Sequence, residues 1–406
     1  MSQKYPGGII SKTPPTTVGP VDGEGGSAPG IWTLTQALEL QKQNLWPKPT
    51  LPRELYAWGT NTFGRLGLND TANRSSPVQV GALTDWASAA SGNASSLAIE
   101  TDGSLYAWGY NSYGRLGLGD TVSRSSPVQV GTLTTWSQVA AGNFHSVALK
   151  TDGTMWSWGY NGTGQLGQNN TTNRSSPVQI GALTTWSQIA AGSNHNLAIK
   201  TDGTLWSWGF NGNGQLGLGN ALGYNRSSPV QIGALTTWAQ VGAGLSHSLA
   251  IKTDGTMWVW GYNTQGTLGI NDTADRSSPV QVGALTTWSQ VKGGSAFSLA
   301  AKTDGTMWSW GGSNSGRTGL GDTIYRSSPV QIGALTTWSK IATGSAFGLA
   351  IKTDGTLWAW GYNGNGRLGL NDTANRSSPV QVGSLTTWFR LAQGAPAAHS
   401  LAITKG

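Results

Sequence analysis

The stretch Gly142-Asn-Phe-His-Ser-Val-Ala-Leu-Lys-Thr-Asp-Gly-Thr-Met-Trp-Ser-Trp-Gly159 decides how this chain of 406 residues folds. Two runs of alternating or β-branched apolar residues, 145–150 and 154–158, flank a Thr-Asp-Gly turn. In such a turn Asp can bond backbone amides and Gly can adopt a positive φ. The stretch therefore predicts a β-hairpin. A strand at 136–141 and a short strand at 178–180, entered through Pro177, complete an antiparallel unit.

The same unit recurs along the chain at a nearly constant period. Seven Trp-Gly pairs follow one another at intervals of 50, 50, 50, 52, 50 and 50 residues, at Trp58, Trp108, Trp158, Trp208, Trp260, Trp310 and Trp360. A second marker, Arg-Ser-Ser-Pro-Val-Gln, also occurs seven times, beginning at Arg74, Arg124, Arg174, Arg226, Arg276, Arg326 and Arg376. Short strands repeated in this way, with no helical period, predict a seven-bladed β-propeller rather than a sandwich or an open solenoid.

The two ends of the repeat array supply the halves of one hairpin. The chain reaches its last strand at 399–404 and its first at 54–58. Antiparallel pairing around Leu401 and Tyr56 would complete a blade and hide two sheet edges that otherwise invite aggregation. We therefore predict an all-β, seven-bladed propeller over residues 54–406, closed by pairing of the first and last strands.

The spacing Gly-x-x-His-Ser-x-Ala-Leu-x-x-Asp-Gly-x-x-x-x-Trp-Gly in 142–159 resembles the repeat of the regulator of chromosome condensation family, whose members are seven-bladed propellers. The resemblance covers about residues 54–404. Founding members are exchange factors for a small GTPase and bind nucleosomes, through an inserted wing and specialised loops. The blades of this chain are nearly identical, and the only insertion lies near residues 221–224. The resemblance therefore implies the fold, whereas exchange activity is not expected.

Composition excludes several classes of protein. The chain has 60 Gly, 21 Trp and no Cys, and only 11% of its residues are charged, against about 25% in an average domain. Disulfide frameworks, iron–sulfur clusters and thiol nucleophiles are excluded. No run approaches the roughly 20 apolar residues that membrane insertion requires. The net charge of +7 is spread singly along the chain, so we expect no specific nucleic-acid binding.

Side chains that usually carry catalysis fall into repeat columns. All four His residues, His145, His195, His247 and His399, share one column with Ser95, Phe297 and Phe347. Because Phe substitutes for His, we interpret the column as packing plus a backbone hydrogen bond; a ring of metal ligands is the alternative. The Asp of each Thr-Asp-Gly turn is interpreted as turn chemistry. We therefore predict no catalytic, cofactor-binding or metal-binding residue, and no enzyme.

Two further columns bear on partners. Recurrence of Trp in every unit favours packing between blades, with exposed, sugar-stacking Trp rows as the alternative. After the Trp-Gly pairs, a polar column contains Arg65, Arg115, Gln165, Gln215, Thr267, Arg317 and Arg367. Ring closure makes its four Arg residues neighbours. They form either a binding sector for an acidic partner on one propeller face or a solvated polar column.

Residues 1–53 are predicted to form a separate anchoring arm. Through Gly30 the arm is rich in Pro, Gly, Ser and Thr, a composition that cannot bury a core. A short helix is expected at about 33–44, since Thr33 and Gln36 have capping-box spacing and Pro47 stops it. Its apolar stripe must dock on the propeller or on another protein, and the predicted partner-binding residues are Ile31, Trp32, Leu34, Leu38 and Trp46.

The arm carries a second resemblance. The segments Tyr5-Pro-Gly-Gly-Ile-Ile-Ser11, Gly30-Ile-Trp-Thr-Leu-Thr-Gln-Ala37 and Leu45-Trp-Pro47 are similar to amino-terminal segments of structural proteins from tailed bacteriophages, especially marine ones. The resemblance implies a virion protein, present in multiple copies on tail or capsid. Its partners would be other virion proteins, through the arm, and a host-surface receptor, through the propeller. The alternative is a cytoplasmic protein-interaction propeller of the regulator of chromosome condensation type. A metal-dependent or sugar-binding activity is the third hypothesis.

Overall fold

The computed structural model describes residues 52–219, 223–392, 394 and 397–405, which contain 28 β-strands. The first fourteen are β1 (Leu55–Gly59), β2 (Arg74–Gln79), β3 (Trp86–Ser91), β4 (Ser95–Glu100), β5 (Leu105–Gly109), β6 (Arg124–Gln129), β7 (Trp136–Ala141), β8 (His145–Lys150), β9 (Met155–Gly159), β10 (Arg174–Gln179), β11 (Trp186–Ala191), β12 (His195–Lys200), β13 (Leu205–Gly209) and β14 (Arg226–Gln231). The others are β15 (Trp238–Ala243), β16 (His247–Lys252), β17 (Met257–Gly261), β18 (Arg276–Gln281), β19 (Trp288–Gly293), β20 (Phe297–Lys302), β21 (Met307–Gly311), β22 (Arg326–Gln331), β23 (Trp338–Thr343), β24 (Phe347–Lys352), β25 (Leu357–Gly361), β26 (Arg376–Gln381), β27 (Trp388–Leu391) and β28 (His399–Thr404). No helix in this part of the chain is long and apolar enough to cross a bilayer.

The strands form seven four-stranded antiparallel sheets, which are the blades of a propeller. Blades 1 to 6 each contain four consecutive strands: β3–β6, β7–β10, β11–β14, β15–β18, β19–β22 and β23–β26. Blade 7 contains β27, β28, β1 and β2. Each blade's first strand contacts the first strands of its neighbours, and β27 contacts β3, so the ring is closed. The predicted all-β, seven-bladed propeller is therefore confirmed.

Blade 7 joins the two ends of the repeat array. Strands β1 and β28 are antiparallel, with Ala57 opposite Leu401 and Tyr56 opposite Ala402. The side chains of Leu55, Ala57 and Leu401 are almost fully buried against blade 1. The pairing removes two sheet edges that would otherwise be open. The assignment of residues 1–53 to an arm, with a helix at about 33–44, falls outside the described residues except for Pro52 and Arg53 and stays a prediction.

A buried Trp links most of the neighbouring blades. Each Trp of a Trp-Gly pair has less than 1% of its surface exposed, and six of the seven donate Nε1–H across a blade junction to the carbonyl oxygen of a loop residue. These bonds are 2.8–3.0 Å long and join Trp108 to Arg65, Trp158 to Arg115, Trp208 to Gln165, Trp260 to Gln215, Trp310 to Thr267 and Trp360 to Arg317. A buried N–H without such an acceptor would be destabilising. The Trp residues therefore combine apolar packing with a directional bond.

The second and third Trp columns form pairs on which Lys side chains stack. In blade 2 the rings of Trp136 and Trp156 meet edge to face, 6.1 Å apart, and Lys150 Nζ lies 3.8 Å from the Trp156 centroid. Blades 3 to 6 repeat this arrangement with Lys200, Lys252, Lys302 and Lys352. The ammonium groups shield the indole faces while remaining near solvent. None of the described Trp residues is exposed, so the structure offers no exposed Trp row for sugar stacking.

The Asp of each Thr-Asp-Gly turn serves the turn, as predicted. Asp152 Oδ1 accepts bonds from the backbone N–H and hydroxyl of Thr154, at 2.9 and 2.7 Å, and the Thr154 hydroxyl accepts a bond from Trp156 Nε1. These bonds stabilise the carboxylate and lower the pKa of Asp152 below its ordinary value. Asp152 therefore connects the turn to the stacked Trp column.

We expect Gly117→Ala to destabilise the propeller more than Gly131→Ala. Both glycines have positive φ, +76° and +66°, but a Cβ on Gly117 would lie 2.9 Å from Trp158 Nε1, whereas a Cβ on Gly131 meets nothing within 4 Å. Both variants share a backbone cost of about 1–2 kcal/mol. Gly117→Ala should lose a further 1–3 kcal/mol, roughly, because it displaces the indole. Urea-unfolding midpoints measure the difference, and equal midpoints would contradict this role of Trp158.

Candidate functional site

The two faces of the ring differ in their loops. One face carries the short turns and the connections between blades, such as 151–153 and 181–185; we call it the turn face. The opposite face carries the connections between the third and fourth strands of each blade, such as 110–123, and we call it the long-loop face. The Arg column predicted from the sequence lies in the long-loop connections. The predicted arm residues Ile31, Trp32, Leu34, Leu38 and Trp46 lie outside the described residues.

An Asn in most of the long loops holds the loop closed. Asn111 Oδ1 accepts the backbone N–H of Leu116 at 2.9 Å, and its Nδ2 donates to Asp120 at 3.1 Å. Asp120 in turn pairs with Arg124, the first residue of an Arg-Ser-Ser-Pro segment, at 2.6 Å. The same Asp–Arg pair recurs in four other blades. The loops are thus internally bonded and present a fixed surface.

The structure buries three of the four Arg residues predicted to face outward. Arg115 is fully buried, and Arg65 and Arg367 are nearly so. Arg115 Nη1 donates to Asn143 O at 2.7 Å, and Arg65 Nη1 donates to Asn93 O at 2.8 Å, both across a blade junction. Arg317 is half-buried. The expectation of a solvated column is wrong because neighbouring blades cover these guanidinium groups; contact with an acidic partner stays a prediction.

Burial changes the electrostatics of this column without removing its charge. Desolvation lowers the pKa of Arg65 and of Arg115 to about 10. Arg367 adds to the effect at Arg65 through like-charge repulsion, whereas the Tyr110 hydroxyl opposes it at Arg115. Both guanidinium groups therefore stay protonated at neutral pH. Their hydrogen bonds to carbonyl oxygens compensate the desolvation.

Five aromatic side chains cluster above Arg115 on the long-loop face. We call Phe63, Tyr110, Tyr113, Phe144 and Tyr160 the aromatic patch. Phe63 stacks on Tyr110 with ring centroids 4.2 Å apart, and Tyr113 contacts both Tyr160 at 4.9 Å and Phe144 at 5.8 Å. The Arg115 guanidinium lies 4.9 Å from the Tyr110 centroid and 4.8 Å from that of Phe144. The patch spans blades 7, 1 and 2 and rests on a buried cation.

The aromatic patch breaks the symmetry of the ring. Phe63 and Tyr113 are 46% and 40% exposed, and at their column the other five blades carry Thr163, Asn213, Gln265, Ser315 and Asn365. Phe63 has a φ of +67°, a conformation that bulky residues rarely adopt. This column was not singled out from the sequence, although its two aromatic members depart from an otherwise polar set. A strained, exposed aromatic residue points to a functional constraint.

The four His side chains are buried and bond to the next blade. Each Nε2 lies 2.7–3.0 Å from a polar side chain, and the pairs are His399 with Ser96, His145 with Asn196, His195 with Ser248 and His247 with Ser298. The predicted structural role holds, but the predicted backbone partner is wrong. The partner is a side chain because the adjacent blade brings its second strand against the imidazole.

The bonds around each His define its protonation state. Ser298 Oγ donates its single hydrogen to Thr267 O at 2.8 Å, so it accepts a hydrogen bond from His247 Nε2–H. Asn196 likewise donates through Nδ2 to Gln165 O and accepts through Oδ1 from His145. Each Nδ1 lacks a partner among the described residues. Burial lowers the pKa of His145 to about 4 and those of His195 and His247 to about 3.

The contacts of the four His side chains do not favour the alternative in which they form a ring of metal ligands. The imidazoles lie in different blades, and each Nε2–H is committed to a neighbouring Ser or Asn. Among residues 52–219, 223–392, 394 and 397–405, no group of three His, Asp or Glu side chains is arranged to hold a metal ion. That the chain takes no metal or cofactor stays a prediction.

Comparison with known proteins is consistent with the geometry. A model of the RCC1-like domain matches residues 50–238 and 174–402. Human WBSCR16, as a crystal structure, is 22% identical with a TM-score of 0.78, covering 87% of this chain and 99% of that one. Prp20p from Saccharomyces cerevisiae, solved in a study that includes its binding to Gsp1p and histones, is 21% identical with a TM-score of 0.77, covering 88% and 93%. Yeast RCC1 (Prp20) bound to Kap60 is 20% identical with a TM-score of 0.77, covering 88% and 90%.

Structural likeness at these identities shows the fold alone. No curated protein matches the sequence. The resemblance of the arm to bacteriophage structural proteins is not reflected in the family match, which covers residues 50–238 and 174–402. The virion hypothesis stays a prediction.

We expect the propeller to lose stability as the pH falls from about 6.5 to about 4. The unfolded chain protonates its His residues near pH 6.5, whereas the folded chain keeps them neutral down to about pH 4 or below. Between these limits the unfolded state binds more protons, so each His lowers stability by about 1.4 kcal/mol per pH unit.

The matched variant is His247→Phe, because Phe already occupies this column at Phe297 and Phe347. The variant should unfold with a shallower dependence on pH, by about one proton. Urea unfolding at several pH values between 4.5 and 7.5 measures both slopes. A variant with the slope of the original chain would show that His247 is not held neutral.

Proposed function

We propose that this chain, which belongs to the RCC1-like domain family, is a non-enzymatic protein-interaction propeller that binds a protein partner through the aromatic patch on its long-loop face. The observation that carries the proposal is the exposed and asymmetric pair Phe63 and Tyr113 over a buried Arg115, with Phe63 held at a positive φ. Aromatic residues and Arg are the side chains that most often dominate the energy of protein interfaces.

The patch is suited to binding because its rings are already fixed. Phe63 is stacked on Tyr110, Tyr113 contacts two rings, and Arg115 lies beneath them. A partner would therefore restrict few additional rotamers on this side of the interface. The bonded long loops around the patch hold the backbone in place as well.

The exposed leucines of the turn face are a weaker candidate for the protein interface. It carries a ring of half-exposed leucines, one from each blade, at Leu83, Leu133, Leu183, Leu235, Leu285, Leu335 and Leu385. The seven copies are equivalent, so no sector of this ring distinguishes one bound orientation from another. The aromatic patch occurs once and does define an orientation.

A non-catalytic role is supported by the state of the side chains that usually perform acid–base chemistry. The imidazoles are buried and bonded to the next blade, and Asp152 and its counterparts serve their turns. Relatives support protein binding in general terms: Prp20p was studied for its binding to Gsp1p and histones, and it was also solved bound to Kap60.

The virion role remains the second candidate, because its evidence is the sequence of residues 1–50 alone. It differs from the cellular role in the identity of the partner. Capture of capsid or tail proteins that is lost on deleting residues 1–50 would favour the virion role. Capture of a cellular protein that is retained after this deletion would favour the cellular one.

We expect Phe63→Asn combined with Tyr113→Asn to reduce partner capture at least tenfold while preserving the fold. Asn occurs at this column in two other blades, at Asn213 and Asn365, and it tolerates the positive φ at position 63 better than Phe does. The measurement is photocrosslinking from a benzoylphenylalanine placed at Tyr160, followed by mass spectrometry, with and without the two substitutions.

The control replaces Leu133 and Leu183 with Ser on the turn face. These leucines are both 47% exposed, so the control removes a comparable apolar surface from the opposite side. It should leave crosslinking from position 160 unchanged. Equal crosslinking by the patch variant and the original chain, with both folded, would refute the proposed interface.

A further inference from the structure

Seven inner strands surround the central axis of the ring, and they follow a simple sequence pattern. Small residues occupy the fifth position of most of them, as in Ala140, Ala190 and Gly242, and line a narrow channel. Gln occupies the third position in four consecutive blades, at Gln138, Gln188, Gln240 and Gln290. In most blades, therefore, the third and fifth positions of the inner strand are both uncharged.

The Gln side chains join neighbouring blades around the mouth of the channel on the turn face. Each Nε2 donates to a backbone carbonyl of the next inner strand at 2.6–2.8 Å, and the bonds join Gln138 to Ser187, Gln188 to Ala239, Gln240 to Ser289 and Gln290 to Ser339. A neutral Gln amide is thus sufficient to make the hydrogen bond to the next blade at this position. Nothing in the packing of the ring requires a charge here.

Three cations replace the neutral residues in three consecutive blades. Lys292 on β19 stands in the Ala column, and Lys340 on β23 and Arg390 on β27 stand in the Gln column. No Asp or Glu occurs on any of the seven inner strands. None of the ion pairs between described residues involves Lys340 or Arg390. The mouth therefore concentrates positive charge on one side.

The three cations line one cavity of about 570 Å³, together with Ser88, Gln240 and Gln290. Arg390 keeps one bond of the Gln ring, since its Nη1 donates to Ala87 O at 2.5 Å. The buried Ser88 hydroxyl has no hydrogen-bond partner among the described residues. Desolvation lowers the pKa of Lys292 to about 8, so this ammonium is held with less hydration than usual.

We propose that this basic mouth of the channel, formed by Lys292, Lys340 and Arg390, binds a multiply charged oxyanion of the phosphate class. Like charges gathered in a concave, partly desolvated site repel one another, and an anion relieves that repulsion. Guanidinium and ammonium groups are the side chains that best recognise phosphate oxygens. The Ser88 hydroxyl adds a neutral donor. This site lies on the face opposite the aromatic patch and does not depend on the proposed interface.

The test is isothermal titration of the full chain with inorganic pyrophosphate at low ionic strength. We expect saturable binding to one site that weakens as salt is added, because the contacts are ionic. In the triple variant Lys292→Ala, Lys340→Gln and Arg390→Gln, affinity should fall at least tenfold. Each replacement restores the residue that other blades carry at the same column, so the ring should fold as before.

Single variants show whether pyrophosphate binding depends on the three cations at the channel mouth or only on the net charge of the protein. Arg390→Gln should weaken binding several-fold, whereas Arg174→Gln, which removes an equal charge from an outer strand, should leave it unchanged. Absence of pyrophosphate binding by the original chain would overturn the proposal, and so would equal affinity in the folded triple variant.

A second titration identifies the source of the phosphate. A short peptide carrying two adjacent phosphoserines is compared with pyrophosphate. Tighter binding of the peptide would assign the site to phosphate groups borne by a protein, and tighter binding of pyrophosphate would assign it to a free anion. Both outcomes require the three cations and therefore support the site.

Discussion

The hydrogen bond from a buried indole to a loop carbonyl of the neighbouring blade is the contact on which the ring depends. It occurs at six of the seven junctions, always from the Trp of a Trp-Gly pair. At five junctions the same carbonyl also accepts a bond from a Ser or Asn of the second strand. At four of those junctions a neutral His bonds that Ser or Asn. At these junctions one loop carbonyl accepts bonds from a Trp and a Ser or Asn of the next blade, and the His of its own blade bonds that Ser or Asn. The position of the long loop and the packing of the two blades therefore depend on each other.

Much of the fold follows from the repeat, whereas the state of individual side chains does not. The hairpin at 142–159 and the period of about 50 residues were enough to predict the blades and the closed ring, because hairpins and their spacing are local features of the chain. The exposure of Arg115 was mispredicted because the residues that cover it belong to the next blade, including Asn143 and Phe144. The His partners were mispredicted for the same reason. Contacts across a junction are not encoded at any single position of the unit.

Because the blades are nearly identical, each residue can be compared with the residues at the equivalent position of the other six blades. A residue that departs from its column, where the other blades fold without it, is a candidate for a role other than folding. Phe63 and Tyr113 depart from a polar column on the long-loop face, and Lys292, Lys340 and Arg390 depart from Ala and Gln columns at the channel mouth. Both sets lie in adjacent blades, so each produces one asymmetric site on a symmetric scaffold. The column of Arg65 and Arg115 also varies, with Arg in four blades and Gln or Thr in three, yet both Arg residues are buried and bond across a junction, so variation in a column requires a structure to interpret.

The division of blade 7 between the two ends of the repeat array has a consequence for biosynthesis. Strand β28 is the last of the 28 strands to leave the ribosome, and β1 is the first. In the folded sheet β28 lies between β27 and β1, so it must insert between these two strands. Until then β1 presents an unpaired edge, and blades 6 and 1 each lack a neighbour. The ring therefore cannot close before the last of these strands has been synthesised, and nascent chains on crowded polysomes are the species most exposed to pairing with one another.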